Sequence, residues 1–314
     1  MDRYHQIILG FDGSSCAEKA AREAMKIAGW SVAPLWSYRI ISPTEIDDLS
    51  TSTDLDEQAC LCALVHQDYG VLDTIATPFV ETEWHHYCCV GQPVDVLQEK
   101  VEAHQADLMV IGTHGHTHQE TGVLGPIARA ILRQPRCDVL VVREVIVGSF
   151  CHVVVVLGEG TNEADAAALR RAAAIAAHGG CSLQVISCYP TNWQRILADR
   201  VSQPAAQTRA ERAVAIRTTA LQKLVASETI PRDTPEPEIR VITHHSSTLG
   251  VLEQLGRAEA DLVVLPAYLS GEIPDVERVV SNTRSSVLLT IHPGPSPQSR
   301  ATRQAGRETC AAEN

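Results

Sequence analysis

No run of basic residues interrupts the 314-residue sequence, whose 26 Lys and Arg stand against 38 Asp and Glu for a formal charge of -12. A chain of that balance does not track a phosphate backbone, which argues against nucleic acid as a partner. Long apolar runs are missing as well: stretches such as Val153 to Leu157 and Asp261 to Leu265 are far too short to span a bilayer. The first strand-like run, Gln6 to Gly10, begins almost at Met1 and leaves no room for a charged and then apolar leader. The expectation is a soluble cytoplasmic protein with no membrane partner. Although there are 10 cysteines, none form a second pair at zinc-finger spacing. They read as reduced, mostly buried thiols. Also lacking are a G-x-S-x-G elbow, a Walker lysine motif and a carboxylate pair in the loop to hold magnesium. Turnover is therefore not expected, with slow ATP hydrolysis left open.

What is present is a duplication. The run ADLMVIG at Ala106 to Gly112 recurs as ADLVVLP at Ala260 to Pro266, and DVLVV at Asp138 to Val142 recurs as SVLLT at Ser286 to Thr290. The openings Ile7 to Ser15 and Val154 to Asn162 correspond too. Two copies of one unit follow, 1–148 and 149–293, with 294–314 as a disordered tail. In the first copy strands are expected at Gln6 to Gly10, Val32 to Tyr38 and Phe79 to Trp84. Helices are expected from Cys16 with a Ser15/Glu18 capping box, over Leu55 to Leu72, and over Pro93 to His104. Pro43 to Asp56 reads as a polar, acidic loop or a linker over the site. The second copy repeats the order, with strands near His152 to Leu157, Ser182 to Ser187, Ile239 to Thr243, Asp261 to Leu265 and Ser286 to Ile291. Apolar strands separated by helices make an α/β fold of two tandem, doubly wound, parallel five-stranded sheets, Rossmann-like in arrangement.

The most informative stretch runs from Ala106 to Arg143: a buried strand, a glycine-bearing loop, a helix from Pro126 and a second strand. Gly112, Gly115 and Gly125 are separated by two and then nine residues. Glycines there let backbone approach an anion closely, and a helix start adds a favourable dipole. In a doubly wound sheet this loop and Asp12 both fall at the carboxyl edge of the strands, where ligands bind.

The opening ILGFDGS, the strand and loop VIGTHG, the glycine spacing and the closing strand DVLVVR together resemble the universal stress protein A family. The resemblance covers the chain as a tandem pair, with the distinctive motifs confined to the first copy. It implies an adenine nucleotide alpha hydrolase-like domain with ATP, ADP or AMP over the strand edge, in a nonenzymatic stress-response sensor or regulator. Carried over by position, Asp12 would sit near the adenosine, Ile111 and Gly112 beside the nucleotide, and His114 with Gly115 at the phosphates. Gly125, Pro126 and Ile127 would open the phosphate-facing helix, and the middle of the second strand, near Leu35 to Ser37, would approach the adenine. The family pattern has Ser or Thr where this chain has Pro126, which supplies neither a hydroxyl nor an amide hydrogen.

The second copy departs further: Glu159 stands in place of Asp12, and the loop after ADLVVLP has only Gly271. It is expected to bind no nucleotide and to serve as a structural partner. Family dimers commonly pair their last strands, so Val139 to Val142 and Val287 to Ile291 are expected to pair within the chain as a pseudo-dimer, with a further homodimer left open. Two alternatives stay open: a nucleotide-independent scaffold for an unknown protein partner, and a metal-responsive protein using His114, His116 and His118 with His85, His86, Cys88 and Cys89. No metal is the preferred expectation.

Overall fold

The computed structural model describes residues 3–79, 81–115, 124–143, 150–191, 203–228, 230–231, 234–267 and 276–291. His116 and His118, Gly271, the junction between the two copies at 148 and 149, and the 294–314 tail lie outside the described residues.

The first half contains β1 (Ile7–Gly10), α1 (Ser15–Ser31), β2 (Leu35–Ile41), α2 (Pro43–Thr53), α3 (Glu57–Ala76), β3 (Trp84–Val90), α4 (Pro93–His104), β4 (Leu108–Gly112), α5 (Pro126–Arg133) and β5 (Asp138–Val142). The second contains β6 (His152–Val156), α6 (Glu163–Gly179), β7 (Ser182–Pro190), α7 (Gln203–Ser227), β8 (Glu238–His244), α8 (Ser247–Ala258), β9 (Leu262–Pro266), α9 (Val276–Asn282) and β10 (Ser286–Thr290).

Strand order is β3-β2-β1-β4-β5-β10-β9-β6-β7-β8. The order is the same in both halves read outward from the centre, and pairing is parallel within each. The two expected sheets are joined edge to edge into one. β5 and β10 pair antiparallel, with Val287 opposite Val141, Leu288 opposite Leu140 and Leu289 opposite Val139. That pairing covers two strand edges that would otherwise expose unpaired backbone groups.

Side chains alternate across each strand, so the sheet divides its apolar residues between two layers. Leu140, Val142 and Leu288 join the layer under α1, α3 and α6. Val139, Val141, Val287 and Leu289 join the opposite layer with α4, α5 and α8. Both layers cross the seam without a break. Polar groups pin it further. Asp138 accepts hydrogen bonds from the Ile291 amide at 2.8 Å and the Tyr4 hydroxyl at 3.1 Å, and Arg171 donates to it at 3.2 Å. The Arg171 guanidinium also lies over the Tyr4 ring. On the other face Arg129 and Arg133 both pair with Glu277.

Four sequence expectations shift. The cap of α1 is Ser14, which accepts from the Ala17 amide at 3.2 Å; Ala17 has no side chain to reach back, so the expected Ser15/Glu18 box does not form. A complete capping box forms instead at Ser42 and Glu45, with Pro43 in the first turn, and turns the expected loop Pro43 to Asp56 into α2 and the start of a second helix. Helix α1 runs to Ser31, which delays β2 to Leu35. Finally Phe79 lies in the turn after α3, so β3 begins at Trp84, where the expected strand ended. Among the described residues, no helix is long and apolar enough to cross a membrane.

Candidate functional site

Three close backbone approaches explain the glycine spacing. A Cβ on Gly112 would lie 3.0 Å from the backbone of Cys16 at the start of α1. One on Gly125 would lie 3.2 Å from the Thr113 carbonyl oxygen, to which the Gly125 amide donates at 2.8 Å, so the loop leaves and returns at one point. One on Gly115 would lie 2.4 Å from Asp12 Oδ2, an approach no side chain tolerates without displacing the carboxylate. Asp12 itself turns the chain through Gly13, at φ 78°, and accepts from the Ser14 amide at 2.9 Å.

Gly125 is the extended N-cap of α5 and Pro126 its first residue. The first amide bonded back to the cap belongs to Arg129. Helix geometry therefore leaves the Ile127 and Ala128 amides as the donors at this end, Pro126 having none.

These elements enclose a cavity of about 640 Å³ at the carboxyl ends of β1, β2 and β4. That volume suits a small-molecule ligand. Asp12, Ile111, Gly112, His114, Gly115, Gly125, Pro126 and Ile127 all line it, so the structure brings the eight expected residues together. It adds residues that sequence reasoning missed. Tyr38, Arg39, Ile40 and Ile41 line the cavity in place of the expected Leu35 to Ser37, because the delayed start of β2 moves its carboxyl end along the sequence. Glu45, Asp48, Leu49 and Ser52 of α2 and Leu64 of α3 close one side, and Pro93 and Leu97 of α4 another. The Ser42-x-x-Glu45 spacing was the signal for this helical wall.

The polar groups around the cavity are strongly tied. Arg39 donates to Asp68 at 2.8 Å; Asp68 also contacts His86 Nε2 at 3.2 Å, and His86 Nδ1 lies 3.0 Å from Ser37 Oγ. Tyr38 Oη lies 2.7 Å from His104 Nε2, and burial, assisted by Tyr87 and Cys89, pushes the Tyr38 phenol up to about 12. The phenol is thus protonated at neutral pH. Glu45 is held below the usual carboxylate range by hydrogen bonds from Ser42, so it keeps its charge. His114 Nε2 sits 3.5 Å from Cys16 Sγ.

The residues considered for a metal do not gather. His86 spends both ring nitrogens on Asp68 and Ser37, and His85 stacks on Trp36 while contacting Glu83. Burial pushes Cys88 up to about 11 and raises Cys89, which disfavours the thiolates a metal requires. Among the described residues no three His, Cys, Asp or Glu side chains are placed to hold an ion.

The matching region of the second half is occupied by its own side chains. Glu159 precedes Gly160, at φ 72°, as Asp12 precedes Gly13. Here the fully buried Asp165 accepts from the Gly158 amide at 3.0 Å and the Gly160 amide at 2.9 Å. Arg217 of α7 reaches over the strand ends, donating to Glu159 at 3.1 Å and the Cys188 carbonyl at 2.8 Å. A cleft of about 790 Å³ in this half lies between the start of α6 and α7, and no strand residue lines it.

Residues 3–143 match the model of the Universal stress protein family. A universal stress protein of Methanocaldococcus jannaschii is 26% identical over 145 residues, 45% of this chain and 83% of that protein. One of Mycobacterium tuberculosis is 27% identical over 148 residues, 45% of this chain and 98% of that protein. Among solved structures, a universal stress protein of Archaeoglobus fulgidus covers 91% of this chain and 98% of its own at TM-score 0.62 and 13% identity. A putative universal stress protein of Pseudomonas aeruginosa covers 92% and 93%, also at 0.62, with 16% identity. At those identities the likeness is one of fold, extending across both halves.

Proposed function

We propose that this chain, whose residues 3–143 match the model of the Universal stress protein family, is a cytoplasmic, nonenzymatic stress-response sensor or regulator whose first half, 1–148, binds an adenine nucleotide. The second half, 149–293, is a degenerate copy that holds the first in place without a ligand of its own. One observation carries the reading: the 640 Å³ cavity at the strand ends collects Asp12, Ile111, Gly112, His114, Gly115, Gly125, Pro126 and Ile127 around one space. In it Asp12 accepts hydrogen bonds from ribose hydroxyls, the apolar side chains of Ile40, Ile41 and Leu49 take the base, and the Ile127 and Ala128 amides face the phosphate side.

Calorimetric titration with ATP, ADP and AMP tests this. Binding is expected with at least one of them, and Gly115→Val is expected to remove it, since even a Cβ collides with Asp12. Absence of heat with all three at millimolar concentration, or an unchanged affinity in Gly115→Val, overturns the assignment.

A second reading is favoured by Pro126. Loss of one charge-assisted hydrogen bond, roughly 1.5 to 3 kcal/mol, weakens phosphate binding tenfold or more. The chain then works as a nucleotide-independent scaffold for a protein partner. Small molecules released on denaturing freshly purified protein separate the two: an adenine nucleotide supports the first reading, and none supports the scaffold.

A further inference from the structure

The charges around the cavity name the ligand class more narrowly. Among the described residues Asp12, Glu45 and Asp48 line it, against a single guanidinium, Arg39, and no lysine. Arg39 is already committed to the buried Asp68 at 2.8 Å. Glu45 holds its charge because Ser42 donates to it from both amide and hydroxyl. At the helix start, where a phosphate would find its donors, Pro126 removes one amide. The remaining lining is largely apolar: Phe11, Ile40, Ile41, Leu49, Leu64 and Leu97.

From this arrangement we infer that the site selects an uncharged ribonucleoside over a nucleoside triphosphate. The inference rests on the nucleotide-site assignment above and reverses the order of affinity that a phosphate cradle gives. A triphosphate brings several negative charges into a space walled by three carboxylates, whose repulsion acts most strongly where water is excluded. A magnesium ion carried by the triphosphate would offset part of this repulsion, so binding is compared with and without it. A nucleoside meets the apolar wall and the Asp12 acceptor while avoiding the repulsion.

Parallel titrations of the full chain with adenosine, AMP and ATP at low ionic strength, each with and without magnesium, test the selection. Adenosine is expected to bind at least tenfold more tightly than ATP, with AMP between them. Added salt should narrow the gap, because it screens the carboxylates. The double variant Glu45→Gln with Asp48→Asn is expected to narrow the ratio by about tenfold. Circular dichroism confirms that the variant retains α2. Equal or tighter binding of ATP, in either buffer, overturns the selection and leaves the nucleotide site standing. An unchanged ratio in the double variant also overturns it. No binding of any of the three removes both the selection and the site.

Discussion

The loops after β1 and β6 begin alike and end differently. Each leaves its strand through an acidic residue and a glycine of positive φ, Asp12-Gly13 in one and Glu159-Gly160 in the other. In the first, Asp12 accepts from the Ser14 amide and the strand ends open into a cavity. In the second, Asp165 takes two loop amides, and Arg217 closes over the strand ends with Glu159. Backbone donors that could face an anion are turned onto the protein's own carboxylate. On the proposed function, the same fold yields a receptor or a solid support, depending on whether internal side chains satisfy the loop.

The largest expected effect concerns what the halves share. Leu140 and Leu288 face each other across the seam, each 1% exposed. Leu140→Ala and Leu288→Ala are each expected to cost about 2 to 5 kcal/mol in chemical denaturation, by similar amounts and in one transition. A transition that splits, with one half melting first, would show that the second half does not support the first.

Asp138 and Ser286 begin the two paired strands, and each accepts a backbone amide from beyond the end of the other strand, Ile291 and Arg143 respectively. Only Asp138 titrates. Burial pushes it up to about 6 against the lowering by Arg171. Between about pH 4 and pH 6 the folded chain therefore holds a proton that the unfolded chain has released, so stability is full below that window and falls as pH rises through it. The fall is about 3 kcal/mol at most. Asp138→Asn should flatten the slope measured by urea denaturation across the window; an unchanged slope would assign it to another group.

The loops themselves differ by a smaller amount. Asp165→Ala leaves the Gly158 and Gly160 amides without their acceptor and should cost about 2 kcal/mol. Asp12→Ala, which loses one partly buried bond to Ser14, should cost less than about 1 kcal/mol while weakening nucleotide binding. Thermal denaturation of the pair checks the order, and the reverse order would undo the contrast between a supporting and a binding carboxylate. Ser42→Ala is expected to cost about 1 kcal/mol by removing the cap of α2, with ligand affinity falling as that wall loosens.

What the sequence disclosed follows from how each segment is buried. β4, β5, β9 and β10 are covered on both faces, so their apolar runs were unmistakable, and so was the duplication they carry. That Asp12 and the glycine loop share one strand edge followed from topology, whereas the eight residues themselves were named by the family resemblance, position by position. β3 was misplaced because it is an edge strand: its WHHYCCV run is mostly half-exposed, and polar side chains suffice there. α2 was overlooked because only Ile46 of that helix is buried, leaving almost no apolar period to notice. The occupation of the second site by Arg217 depends on a contact between residues 58 positions apart, beyond what local pattern reveals.

Stoichiometry is the most direct test of the contrast between the halves. Full-length chain titrated with adenosine or AMP in a calorimeter should bind one ligand per chain, and Gly115→Val should reduce that to none. Two ligands per wild-type chain, or one that survives Gly115→Val, would contradict the account.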